Sequence, residues 1–178
     1  MRPRKTSTVF VVIVLFAAMA GLPAFDGWSM GSRVPAVGMQ AEDFSLIDLE
    51  GKLHSLSHYR GKIVLINFWA TWCKSCTTEM PAMQVSFDKL RDKGFVVLAI
   101  NELEDDATVR EHIKQHGYTY PVLMDRDNKV ANQFGVFGLP VSVFVDKKGV
   151  VQGYIKGGLL TEQKIQEFVD RLQSPSHG

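Results

Sequence analysis

Two residues separate Cys73 and Cys76, the only cysteines of the chain. The apolar run Ile63 to Trp69 reads as a buried strand, and after Ala70-Thr71-Trp72 the pattern turns helical from Cys73. Both thiols then fall on the first turn of a helix. There, unpaired N–H groups and the positive end of the macrodipole favour thiolate over thiol. One helical turn also brings the two sulfurs within disulfide reach. The chemistry this spacing offers is a dithiol–disulfide cycle with little backbone movement.

A chain of 178 residues has room for one domain with a full core and something at an end. The formal charge of +1 gives no reason to expect nucleic acid as a partner. The charge is uneven, because Arg2, Arg4 and Lys5 stand in a segment without an acid. Removing those three positive charges takes +1 to −2. The continuous apolar run Val9 to Ala20 follows, and the chain leaves it through Gly21-Leu22-Pro23-Ala24. This pattern reads as a signal peptide or N-terminal membrane anchor over residues 1–25. A membrane-spanning helix needs about 20 apolar residues, so the run sits at the short end of that range. Export places the domain where disulfides persist. Two cysteines so close in sequence cannot staple distant parts of a domain, so they read as a reagent rather than a brace.

The elements that must position the pair follow in order. Residues 26–36 read as a linker, part of a Gly- and Pro-containing tether reaching Met39, and the domain is expected over 37–174 with a tail at 175–178. Phe44 to Ile47 and Leu53 to Leu56 flank Asp48-Leu49-Glu50-Gly51 as a β-hairpin. The helix from Cys73 is expected to reach about Asp92, with Met80 and Met83 packing in the core, Pro81 inside it and Gly94 as its stop. Phe95 to Asn101 reads as a buried strand, Asp105 to His116 as a polar helix closed by Gly117, Pro121 to Met124 as a short strand and Lys129 to Phe134 as a short helix. Val141 to Val145 is a further strand, turning through Asp146-Lys147-Lys148-Gly149 into Val150 to Lys156. An amphipathic helix with Ile165, Phe168, Val169 and Leu172 on one face starts after Thr161. Together these give an α/β domain, a central mixed sheet with helices on both faces.

Phe68-Trp69-Ala70-Thr71-Trp72-Cys73-Lys74-Ser75-Cys76 resembles the active-site signature of thioredoxin-fold proteins, and more narrowly the exported TlpA/ResA/CcmG-type thiol-disulfide oxidoreductases. Pro81, Gly138-Leu139-Pro140 before a strand, and the opening Ala41-Glu42-Asp43-Phe44-Ser45-Leu46 agree with it. So does the stretch between Asn101 and Asp125, which matches the helical insertion of that group. The resemblance implies a thioredoxin-like fold with an N-terminal hairpin extension. It implies Cys73 as nucleophile, Cys76 as resolving cysteine and Glu79 as the proton-handling carboxylate. The position where thioredoxins carry a buried aspartate holds Asn67, which cannot take a proton. Pro140 is expected to be cis and to face the cysteines, with Leu139 and Trp72 offering a docking surface for substrate. Leu139 and Lys74-Ser75 depart from the residues usual at those positions. The function implied is reduction of exported protein thiols, apocytochrome c among them, by a monomer without cofactor or metal. Electrons would come from a membrane thiol carrier of the CcdA/DsbD type, and the N-terminal segment would serve as a membrane tether.

Other readings compete. A disulfide oxidase or isomerase uses the same pair. Cys73-x2-Cys76 with His112-x3-His116 matches a zinc pattern in letters, but 35 residues separate the halves where compact fingers have about 12 to 15. A copper carrier of this fold spaces its cysteines by three and adds a late histidine, and a peroxidase wants Thr-x-x-Cys where Thr71 stands only two residues before Cys73. His54 and His58 read as surface residues, Trp69 as core, and the helix around His112 as a solvated face.

Overall fold

The computed structural model describes residues 34–173, so the targeting segment, most of the linker and the tail lie outside the described residues. Residues 45–55 form an antiparallel hairpin of β1 (Ser45–Ile47) and β2 (Leu53–Ser55). Its turn closes on Asp48, whose Oδ1 accepts from the N–H groups of Glu50 and Lys52. The central sheet holds β3 (Ile63–Trp69), β4 (Phe95–Glu102), β5 (Val122–Asp125), β6 (Val141–Val145) and β7 (Val151–Lys156) in the order β5-β4-β3-β6-β7. β3, β4 and β5 run parallel, while β6 and β7 pair antiparallel. The expected mixed sheet is present. The tether ends earlier than expected: Gly38 and Met39 bond to Val151, and Ala41 to Gly149, so its last residues are pinned to the sheet edge.

Strand alternation sorts side chains onto two faces. Ile63, Leu65 and Trp69 of β3 point into one core with Met80, Met83, Val109, Ile165 and Val169. Those last five come from α1 (Lys74–Leu90), α2 (Asp106–His116) and α4 (Glu162–Gln173). Val64, Ile66 and Phe68 point into the other, with Phe44, Leu56 and Phe134 and with Val130 and Ala131 of α3 (Lys129–Gln133). Helices therefore cover both faces. A continuous apolar strand such as β3 is what burial on both faces demands.

Helix ends follow local chemistry. Asp105 caps α2 through its carboxylate to the N–H groups of Ala107 and Thr108, and left-handed Gly117 closes it. Thr161 caps α4 through Oγ1 to Lys164 N, 3.2 Å. Gly153 on β7 is there for close approach. A Cβ at that position would lie 2.5 Å from the Phe168 ring, which stacks flat on Phe144. Among the described residues no helix is long and apolar enough to cross a membrane.

The end of the sheet carries a carboxyl pair. Glu102 and Asp125 are register partners on β4 and β5, and Glu102 Oε1 and Asp125 Oδ1 are buried without a hydrogen-bond donor. Burial, then the Asp125 charge, pushes the Glu102 carboxyl up to about 7. The unfolded chain releases this proton near the ordinary glutamate value, while the fold keeps it until about pH 7. The contribution is present below that ordinary value and is lost as pH rises through about 7. Glu102→Gln should therefore flatten the decline in urea midpoint between pH 5 and pH 8 by acting mainly on its upper end. Parallel midpoint curves for the two proteins would show that the pair does not titrate this way.

Candidate active site

Cys73 is the N-cap of α1, in extended conformation, and the helix proper begins at Lys74. Its Sγ accepts from the backbone N–H of Cys76 at 3.3 Å and lies 3.4 Å from Ser75 Oγ. The two sulfurs are bonded to each other. Cys73 is 7% exposed and Cys76 fully buried, so only Cys73 meets the surface. No acidic residue of α1 itself stands in its first turn. Pro81 lies inside α1 and leaves the Thr77 carbonyl without its helical donor.

Glu79, three residues past Cys76 and thus on the same side of α1, is 1% exposed. Its Oε1 accepts from Asn67 Nδ2 at 2.8 Å, and its Oε2 from the backbone N–H of Leu160 at 3.1 Å. Burial raises its pKa, and those two hydrogen bonds hold part of the rise back. It is no solvated helix residue.

Asn67 Nδ2 also donates to Ser142 Oγ at 3.0 Å, across the β3–β6 register in which the two residues are partners. In sequence Asn67 marks only the absence of a base, and in the fold it anchors the carboxylate. The signal was present, since an asparagine inside an unbroken apolar strand must find polar partners on one side.

Glu104 belongs to the site without a sequence signal of its own. It follows β4, and its carboxylate accepts from Thr71 N (2.7 Å), Thr71 Oγ1 (2.5 Å) and Asn101 Nδ2 (2.7 Å). Nothing in the acidic run Glu102 to Asp106 distinguishes it by letter or period.

The Leu139–Pro140 peptide bond is cis. Phe68 pairs with Val141, so Pro140 continues that antiparallel register beside Trp69, at the end of the sheet where α1 begins. Leu139 is half-buried against both cores, and among the described residues no backbone hydrogen bond engages it. Trp72 is 73% exposed. Exposed Leu103 follows β4 and exposed Leu159 follows β7, while exposed Phe137 precedes β6. Strand directions put all of them at this same end of the sheet.

Two histidine readings are corrected. His54 is buried, with Nε2 2.7 Å from Asp48 Oδ2 in the hairpin turn and Nδ1 2.5 Å from Tyr59 Oη just after the hairpin, so both ring nitrogens have partners. His58 is exposed as expected. His112 is not on a solvated face: its ring packs 5.4 Å from that of fully buried Trp69 and 4.3 Å from that of His116. Burial, then His116, lowers its pKa. Among the described residues no group of three or more His, Cys, Asp or Glu side chains is placed to hold a metal.

A mixed sheet with a Cys-x2-Cys disulfide at the N-cap of a packed helix, and a cis-proline loop beside it, defines a thioredoxin-like thiol-disulfide oxidoreductase. Comparison with known proteins agrees. Residues 37–154 match the AhpC/TSA family model. The thiol-disulfide oxidoreductase ResA of Geobacillus thermodenitrificans is 36% identical over 92% of this chain and 93% of its own length. A thiol:disulfide interchange protein of the thioredoxin family from Chlorobium tepidum superposes with a TM-score of 0.71 at 28% identity, covering 78% of this chain and 99% of that one. The pneumococcal exposed lipoprotein thioredoxin from Streptococcus pneumoniae does so with 0.66 at 29% identity, covering 74% and 100%. The chain belongs to the AhpC/TSA family, in its ResA-like branch of thiol-disulfide oxidoreductases.

Proposed function

We propose that this is an exported reductase of protein disulfides, with the cysteine pair of apocytochrome c as its substrate. Cys73 is the nucleophile, Cys76 the resolving cysteine and Glu79 the proton acceptor. The observation that carries the reading is a Cys73–Cys76 disulfide at the mouth of α1 with a buried, doubly hydrogen-bonded carboxylate on the same side of the helix. The basic N-terminus followed by an apolar run supports export, as does the description of the pneumococcal relative as an exposed lipoprotein. The ResA relatives support a protein thiol substrate.

The cycle balances as two electrons. Reduced Cys73 thiolate attacks one sulfur of the substrate disulfide, the other sulfur leaves as thiolate, and a mixed disulfide forms. Cys76 loses its proton to Glu79 and attacks Cys73 Sγ. That step breaks the mixed disulfide, frees the second substrate thiolate and closes the Cys73–Cys76 bond. A membrane thiol carrier of the CcdA/DsbD type then resupplies the electrons. The exposed Trp72, the unpaired backbone of Leu139 and cis Pro140 receive the substrate as an extended segment.

The test is the reduction potential of the pair, by equilibration with glutathione or dithiothreitol. A value near or below the ~−270 mV of thioredoxin supports a reductase. A value near ~−120 mV makes the protein an oxidant and removes the apocytochrome reading.

A further inference from the structure

We propose that Glu104 is a positioning residue of the active site: its carboxylate fixes the turn that presents Trp72 and Cys73 and keeps an unneutralised negative charge beside the nucleophile. The proposal rests on Cys73 being that nucleophile.

Thr71 lies between the end of β3 and the N-cap of α1, in the turn closed by Cys73 N donating to Ala70 O at 3.2 Å. Apart from Glu104, no described residue bonds its backbone N–H or its hydroxyl. Glu104 takes both, at 2.7 and 2.5 Å, and holds Asn101 Nδ2 with the same carboxylate oxygen that receives the Thr71 N–H. Asn101 is the register partner of Trp69 across β3–β4. The carboxylate thus bridges the ends of two neighbouring strands just before the nucleophile.

The backbone bends to bring it there. Leu103 has φ 58°, a left-handed conformation that a leucine rarely adopts, and its side chain is 63% exposed, so packing does not compensate. Two contacts hold the bend: Leu103 N donates to Asp125 O at 3.3 Å, and the next residue makes the three bonds of Glu104. A strained leucine whose side chain gains little is what a backbone looks like when the following residue must reach a target.

The charge matters as well as the geometry. Among the described residues no Lys or Arg forms an ion pair with Glu104. The titratable side chain across from it is His112 on α2, whose proton affinity Glu104 raises against burial and against His116. A carboxylate bonded to Thr71, two residues before Cys73, opposes the α1 dipole and disfavours the thiolate, hence favours the disulfide. That makes the reduced protein a stronger electron donor, the direction a reductase needs.

Glu104→Gln is isosteric, because Thr71 Oγ1 can turn to accept from the new amide. It removes the charge and keeps the brace. Glu104→Ala removes both. The readout is the pH profile of iodoacetamide labelling of the reduced protein, mapped to its cysteine, with kcat/KM for a disulfide peptide and the unfolding midpoint. Glu104→Gln is expected to move the Cys73 profile down by about 0.5 to 1 pH unit. Glu104→Ala should show the same shift and a kcat/KM lowered by about tenfold, since a loosened turn misplaces the sulfur. Label on Cys73 with coincident profiles in all three proteins overturns the proposal, even if the midpoint falls, because Glu104 is then only a brace. Label on Cys76 in the unmutated protein overturns the assignment of Cys73 itself.

Discussion

Cys73→Ala should lose all turnover, whereas Cys76→Ala should stop after one half-reaction and accumulate a mixed disulfide with its partner. The difference follows from position. Cys73 is the sulfur that reaches the surface, at the N-cap, while Cys76 is fully buried in the first helical turn. A substrate sulfur can meet Cys73 alone, and Cys76 can reach only Cys73. Stability cannot mimic the contrast. Either substitution deletes the same disulfide, which closes a loop of four residues and contributes only about 2 kcal/mol by chain entropy. Equal losses of fold cannot give opposite adduct patterns. The check is non-reducing electrophoresis and mass spectrometry of both variants after exposure to a disulfide-bonded CxxCH peptide. Adducts on Cys73→Ala, or none on Cys76→Ala, would reverse or remove the two-step scheme.

What the sequence disclosed is what local rules govern. Ile63 to Trp69 is a strand over the residues its apolar run covers, and Asp105 and Gly117 bound their helix because capping and left-handed closure are decided within a turn. The active-site cysteines were legible for the same reason, since strand, break and helix sit in one short stretch. Residues whose meaning depends on a distant partner were harder. His54 reads as a loop histidine until Asp48 and Tyr59 close on its two nitrogens, and His112 reads as solvated until Trp69 lies against it. Asn67 of β3 and Leu160 of the turn before α4 close on Glu79, and Ser142 of β6 holds Asn67, separations no spacing rule covers. The resemblance supplied Glu79 and not the groups that hold it. Glu104 lay beyond both, because its target is a backbone N–H thirty-three residues away.

Glu79→Gln should slow the resolving half-reaction by about 10²-fold near neutral pH, the low end of what a positioned base supplies, while making the fold more resistant to unfolding there. Both effects have one origin. The carboxylate is 1% exposed, so its charged form is disfavoured and its pKa raised; burial is the larger influence, and the hydrogen bonds from Asn67 and Leu160 oppose it. The unfolded chain releases this proton near the ordinary glutamate value and the fold only at higher pH, so stability falls as pH rises from that value through the native pKa. Glutamine removes the decline. It also fits: Asn67 Oδ1 has no partner, so the asparagine amide can turn over and accept from the new Nε2, leaving Oε1 for Leu160 N. The catalytic cost is then the lost proton acceptor, not a disturbed core. In the unmutated protein the resolving rate rises with pH as Glu79 ionises. In the variant it rises only as Cys76 loses its proton unaided, at higher pH, and the two rates converge in alkali. Stopped-flow tryptophan fluorescence following mixed-disulfide resolution, with urea midpoints over the same pH range, reads both. A raised midpoint with an unmoved rate profile would leave Glu79 a buried acid without a part in the exchange; a moved profile with an unchanged midpoint would mean the carboxylate is solvated when it acts.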